Sequence, residues 1–253
     1  MLGLSGGITQ GYLKKRTYTA PSYSLSLDGA GDYVTFTSTT FDIVLNNEDL
    51  SISFWAKRND NNDEAVILSS GGNPEFKRLY FDDDGDRLYI ESDQDGEFAY
   101  AAVTADTNWH HYVVVVTGVG TGSGGESTVT FYEDGSDITS SGDNTNFGNV
   151  NGQGITFSRI GAHALTGSNT REFKGLLHQL AIYETPLIAA EVTVIYNSGT
   201  PIPLQTDSGD YVSANKLLHL WQFNENTGST TADSVGALTG TFVGNTAFSS
   251  TTP

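Results

Sequence analysis

Apolar positions recur along the chain with a period of two, in short runs broken by Gly, Asp and Asn. Tyr23-Ser-Leu-Ser-Leu27 alternates, Asp28-Gly29 turns the chain, and Tyr33-Val-Thr-Phe36 alternates again. Leu50 to Ala56 keeps the period, which places Ile52, Phe54 and Ala56 on one strand face and Trp55 on the other. Ala65 to Ser69 reads as a further apolar strand. Leu79-Tyr-Phe81, Leu88-Tyr-Ile90 and Phe98 to Val103 are separated by Asp82-Asp-Asp-Gly-Asp86 and Asp93-Gln-Asp-Gly96. Asp-Gly between alternating runs is a strong hairpin signal, so these three runs predict a meander.

Trp109-His-His-Tyr-Val-Val-Val-Val-Thr117 is apolar on both faces at its centre, as a strand covered on both sides should be. Thr128 to Tyr132, Ile155 to Ile160 and Phe173 to Tyr183 predict further strands around a Gly118 to Glu126 loop. Pro186 to Asn197 predicts the one helix, with Leu187, Ala190, Val194 and Ile195 on its apolar stripe and Gly199 past its end. Pro201 to Ser213 reads as a linker. Leu217 to Phe223 and Leu238 to Val243 read as strands flanking a polar turn.

Composition agrees with this pattern. There are 29 Gly, 30 Thr and 24 Ser, and Tyr and Phe dominate the aromatics, which suits strands joined by turns. The expected class is all-β, a two-sheet antiparallel jelly-roll sandwich with one short helix toward the C-terminal third. Charge then narrows the partners. With 12 Lys and Arg against 30 Asp and Glu the net charge is −18, which opposes a nucleic-acid or anionic-membrane partner. No run is long and apolar enough for a membrane helix, and Met-Leu-Gly-Leu-Ser-Gly-Gly lacks the charged and apolar regions of a Sec signal. Cysteine is absent, which removes disulfides, thiolate metal sites and cysteine nucleophiles.

Residues 1–20 read as an arm outside the core, either a solvated terminus or a docking segment. Its cations Lys14, Lys15 and Arg16 are the expected partner-binding residues. Residues 21–253 are expected to form a single domain.

Six segments in order carry a resemblance to a known family. Ser26 to Val34, Ile52-Ser-Phe-Trp-Ala56, Trp109-His-His-Tyr-Val113, Phe131-Tyr-Glu-Asp-Gly135, Arg159-Ile-Gly161 and Phe173 to Tyr183 resemble successive motifs of the laminin G-like branch of the concanavalin A-like lectin/glucanase jelly rolls. The resemblance spans Tyr23 to Asn197 and implies two antiparallel sheets, one curved and concave, ending in a short helix. The chain departs from that pattern twice. Where the family usually carries an acidic pair after Gly-Leu-Leu, this chain has His178-Gln179. Leu220 to Gly228, Asp233 to Gly236 and Thr239 to Phe242 resemble the family's opening segment yet stand at the end. A circular permutation would let residues 214–253 complete the sandwich.

For hydrolase chemistry the nearest match to the family's alternating carboxylates is Glu91-Ser-Asp93-Gln-Asp95-Gly-Glu97. A hairpin turn there would fan these side chains into water, so no catalytic residue is expected. His110 and His111 point to opposite faces of one strand and cannot share an ion. The acidic turns at Asp82 to Asp86 and Asp93 to Glu97 lack calcium-loop spacing. The resemblance instead implies that calcium, if bound, would use Asp28 or Asp32, joined by Asp233. Trp55, Trp109 and Trp221 sit within strand motifs and read as core, so no sugar platform is assignable.

The leading expectation is a non-enzymatic virion structural or decorating protein, held to other virion proteins by its arm and contacting surface glycans. It rests on the opening residues, which resemble those of bacteriophage structural proteins with such domains. The alternatives are a free carbohydrate-binding lectin, calcium-dependent and extracellular or at a cell surface, and a glucanase-like hydrolase.

Overall fold

The computed structural model describes residues 22–36, 41–43, 49–59, 64–70, 78–82, 86–91, 98–118, 127–143, 155–163, 171–236 and 238–253. Lys14, Lys15 and Arg16 lie outside them, as do Asp93 and Glu97. The strands run β1 (Ser24–Asp28), β2 (Tyr33–Phe36), β3 (Phe41–Ile43), β4 (Leu50–Arg58), β5 (Ala65–Ser69), β6 (Arg78–Phe81), β7 (Arg87–Glu91), β8 (Phe98–Ala102) and β9 (Trp109–Thr117). They continue as β10 (Thr128–Glu133), β11 (Ser136–Asp137), β12 (Ile155–Phe157), β13 (Arg159–Ile160) and β14 (Lys174–Tyr183). Helix α1 (Ala189–Tyr196) precedes β15 (Leu217–Trp221), β16 (Thr230–Ala232), β17 (Thr239–Val243) and β18 (Ala247–Ser249).

Two antiparallel sheets of eight strands form a sandwich. The first runs β11-β10-β9-β4-β14-β1-β18, with β15 also on β14; the second runs β16-β17-β2-β13-β5-β6-β7-β8. Alternation builds the core between them. Ile52, Phe54 and Ala56 of β4 and Tyr112, Val114 and Val116 of β9 meet Leu79, Phe81, Leu88 and Ile90 of the second sheet, all within one buried cluster. Each large apolar side chain so buried contributes about 1.5–3 kcal/mol.

A second apolar layer covers the outer face of the first sheet. There Val113, Val115, Ala181 and Tyr183 pack under Val192 and Ile195 of α1 and under Leu204 and Tyr211. This second cover is why β9 and β14 are apolar on both faces.

It also corrects two expectations. Pro201 to Ser213 is no linker, since Leu204 and Tyr211 are buried and Tyr211 Oη donates to the Leu204 carbonyl at 2.6 Å. The buried side of α1 is Glu191, Val192 and Ile195, whereas Ala190 is exposed. Glu191 holds this orientation, because its carboxylate accepts the Ile188 and Val212 backbone N–H groups and turns the helix onto that segment.

The His178-Gln179 departure has a structural use. β14 slips register between His178 and Ala181, with Gln179 at φ +50°. From that bulge Gln179 Nε2 donates to the Ile202 carbonyl at 2.6 Å, and His178 Nδ1 lies 3.0 Å from the Tyr23 carbonyl. The pair therefore ties the covering segment and the start of β1 to the sheet. Residues 217–249 supply strands to both sheets: β15 pairs with β14, β17 with β2, and β18 with β1. Neither apolar cluster includes the outer face of the second sheet, where Val66 and Ser69 of β5 are nonetheless buried, Val66 bridged to Glu172 and Ser69 bonded to the Ala162 carbonyl, while the β6–β8 part carries Tyr80, Tyr89, Glu91, Phe98 and Tyr100.

Candidate functional site

The site is written in the meander. Period two sends Leu79, Phe81, Leu88, Ile90, Ala99 and Ala101 into the core and leaves Arg78, Tyr80, Tyr89, Glu91, Phe98 and Tyr100 on the outer face. Strand register then aligns them in two rows. Tyr80 pairs with Tyr89 and Tyr89 with Tyr100. Next to them run Thr35, Arg159, Ser69, Arg78, Glu91 and Phe98, one from each of six adjoining strands.

The tyrosine row is a stack. Ring centroids of Tyr80 and Tyr89 are 5.2 Å apart at 13°, and those of Tyr89 and Tyr100 are 4.8 Å apart at 27°. Rings lying flat side by side could not come so close, so they stand up from the sheet and present edges and hydroxyls. Guanidiniums cap both ends, Arg78 Cζ at 4.4 Å from the Tyr80 ring and Arg87 Cζ at 5.3 Å from the Tyr100 ring. Burial pushes the Tyr80 and Tyr89 hydroxyls up, so both remain donors throughout the neutral range.

Arg78 organises the second row. It is buried and bridges two carboxylates, Glu91 at 2.6 Å and Glu64. Glu64 also meets Arg171 Nη1 at 3.0 Å. Burial pushes the Glu64 carboxyl up, against the pull of Arg78 and Arg171. Arg159 lies with Cζ 4.4 Å from the Tyr33 ring while its Nη1 donates to the His163 carbonyl at 3.0 Å. Burial, and then the charges of Arg78, Arg171 and Arg159, hold the His163 imidazole down to about 4. The result is a rigid array of guanidinium donors, carboxylate acceptors and phenol hydroxyls, suited to hydroxyl-rich ligands.

Glu91 thus sits on a sheet face against Arg78 and does not fan into water. Asp82 is likewise buried, and its Oδ1 accepts the Asp86 and Arg87 N–H groups to shape the hairpin. His111 is buried with Nε2 2.9 Å from Ser53 Oγ, while His110 is held between Asp134 at 2.7 Å and Asp106 at 3.0 Å. Trp55 and Trp221 are buried, but Trp109 is only half-buried.

Of the expected calcium ligands, Asp28 and Asp32 are brought side by side and Asp233 is not. Asp32 accepts the Asp28 N–H at 2.8 Å and the Asn245 N–H, and Asp28 accepts the Ala30 N–H at 2.8 Å and the Asn245 amide at 3.1 Å. Asp233 is spent elsewhere, on His219 Nδ1 at 2.6 Å and on the Leu220 and Val235 N–H groups. Among the described residues no group of three His, Asp or Glu is placed to hold a metal ion. These carboxylates fit N–H donors and do not fit a calcium ion. They clasp the β1–β2 turn to the β17–β18 turn.

The sequence signal for the open face was available, since the meander alternates core aliphatics with Tyr, Arg and Glu. What it lacked was register, which alone brings those side chains into rows.

Known proteins support the same architecture. Residues 28–193 match the concanavalin A-like lectin/glucanases superfamily. No curated protein matches the chain. Among solved structures, one titled "putative carbohydrate binding protein" from Bacteroides ovatus superposes with TM-score 0.59 at 13% identity, covering 91% of this chain and 60% of that one. This chain therefore spans less than two thirds of that protein. A heptameric SAP-like pentraxin from Limulus polyphemus superposes with TM-score 0.55 at 15% identity, covering 87% of this chain and 95% of that one. The chain belongs to the concanavalin A-like lectin/glucanases superfamily.

Proposed function

We propose that the chain is a non-enzymatic carbohydrate-binding module whose ligand lies across the outer face of the second sheet. The observation that carries this reading is the pair of rows on β6, β7 and β8, where Arg78, Glu91 and three tyrosine hydroxyl edges are fixed side by side. Fixed donors and acceptors at strand spacing suit the repeating hydroxyls of a sugar chain, and rigidity lowers the ordering cost of binding. The description of the Bacteroides ovatus structure agrees with it.

Affinity electrophoresis through gels containing a panel of soluble neutral and acidic polysaccharides tests the reading. At least one polymer should retard the protein, and Tyr89→Ala, which opens the stack, should lose about tenfold in affinity while keeping the native circular dichroism. No retardation by any polymer would contradict it.

One observation favours a hydrolase instead: Glu64 and Glu91 flank a common guanidinium on the open face, and burial raises the Glu64 carboxyl. Both are held by Arg78, so neither oxygen pair is clear to attack a glycosidic bond. Release of reducing sugar from any retarding polymer, abolished by Glu91→Gln, would establish that second reading.

Attachment to other virion proteins is proposed on the sequence of the arm alone. Deleting residues 1–16, with Lys14, Lys15 and Arg16, should leave the sandwich folded and abolish incorporation into the parent particle. Normal occupancy by the truncated chain would refute it.

A further inference from the structure

The open face is also where the molecule gathers its positive charge. The chain has 12 Lys and Arg against 30 Asp and Glu, yet four of its six arginines, Arg78, Arg87, Arg159 and Arg171, stand on this sheet or against it. At one end three of them converge on the surroundings of His163. Two carboxylates answer them there, Glu64 on Arg78 and Arg171, and Glu91 on Arg78. The next carboxylate at this end, Glu172, accepts the Gly31 N–H at 2.7 Å.

That leaves one guanidinium over. Among the described residues Arg159 has no carboxylate partner. Tyr33 covers a face of the guanidinium and the His163 carbonyl takes one of its five donors, so it is oriented without being neutralised. A planar cation fixed by its face keeps its edge for a ligand, and a guanidinium edge matches an oxyanion with two parallel hydrogen bonds. Cross-strand register puts Ser69 between Arg159 and Arg78 in the row that continues to Glu91 and Phe98, but Ser69 is buried with its hydroxyl on the Ala162 carbonyl at 2.7 Å, so it spaces the two guanidiniums and does not face the ligand.

Resting on the saccharide reading, we propose that this end of the face, around Arg159 and the more exposed Arg171, takes the carboxylate or sulfate of an acidic sugar unit. The ligand is thus an acidic polysaccharide, with the anionic group over Arg159 and the neighbouring hydroxyls along the tyrosine edges. The net charge of −18 opposes such a polymer at long range. At about 0.15 M salt, however, charges beyond about 8 Å are screened, and the local arginines decide the contact.

Two matched pairs of polymers test the inference at that ionic strength: de-esterified against fully methyl-esterified pectin, and dextran sulfate against dextran. Each pair keeps the backbone and changes only the charge. The acidic member of one pair should bind and its neutral counterpart should not; which pair responds tells carboxylate from sulfate. Arg159→Gln should weaken that binding about tenfold or more, the loss of one charge-assisted contact. Arg171→Gln, at a more exposed position, should weaken it less and serves as a second variant should Arg159→Gln fold poorly. Equal binding of both members of a pair, or binding indifferent to both variants, would overturn the inference and leave the saccharide reading standing. Binding of neutral polymers alone from the wider panel would do the same. No binding to any polymer would overturn both.

Discussion

Burial keeps three imidazoles neutral in the fold: His111 is held down to about 3, and His163 and His178 to about 4. An unfolded histidine titrates near about 6.5, so as pH falls below that value the unfolded chain takes up protons that the fold refuses. Their stability contribution is therefore present above about 6.5 and lost progressively toward pH 4. His110 has the opposite sign. Its hydrogen bond to Asp134, with Asp106 on the other ring nitrogen, raises it to about 9. Its contribution is full below about 6.5 and disappears as pH rises through 9. The melting temperature should accordingly peak near pH 6.5–7 and fall on both sides. Calorimetry from pH 4 to 9 checks this, and His110→Gln should flatten the alkaline limb while leaving the acid limb. A profile level from pH 7 to 4.5 would refute the assignment. The opposite faces of His110 and His111 were legible in the sequence, because adjacent strand residues must diverge. Their opposite titration was not, since it depends on which carboxylates the fold brings from Asp106 and Asp134.

At the scale of elements, the strands after residue 216 are the ones whose loss should matter most. β17 and β18 extend the two sheets past β2 and β1, and the turn between them is clasped by Asp32 through the Asn245 N–H. Asp32 is buried while accepting two backbone N–H groups. Asp32→Ala would strand both donors, at a cost of about 2–4 kcal/mol in denaturant unfolding. A loss under about 0.5 kcal/mol would show the clasp to be idle. Removing everything after Pro203 strips a strand or more from each sheet, takes the core residues Trp221 and Phe223 with it, and uncovers Phe36, whose ring lies 5.2 Å from that of Trp221. That truncation should fail to fold, and a cooperative melting transition in it would speak for a separate C-terminal unit.

The same elements mark what a sequence can carry. β4 and β9 were readable because nine residues of clear periodicity leave little ambiguity. β16 and β18, at three residues each, carry no period to read. The 201–213 segment misled because its Pro, Asp, Ser and Gly are turn formers, whereas the large side chains it buries are Leu204 and Tyr211, with Ile202 packed beside them, at a spacing that belongs to no regular element.

On the whole molecule, the two faces of the sandwich have divided the work. The first sheet is closed off by α1 and the segment after it, and the second presents its tyrosine stack, Arg87 and Arg171 outward. The family motifs announced the sandwich because each is a local strand pattern. The open face is assembled from β2, β5, β6, β7, β8 and β13, and no single stretch of sequence contains it. The most direct measurement is an amide chemical-shift titration of isotope-labelled protein with an oligosaccharide cut from whichever polymer retards it. Shifts concentrated at Arg78–Phe81, Arg87–Glu91, Phe98–Ala102 and Arg159 are the predicted result. Shifts concentrated instead on α1 and residues 201–213, with the β6–β8 amides unmoved, would place the ligand on the wrong face and contradict the account.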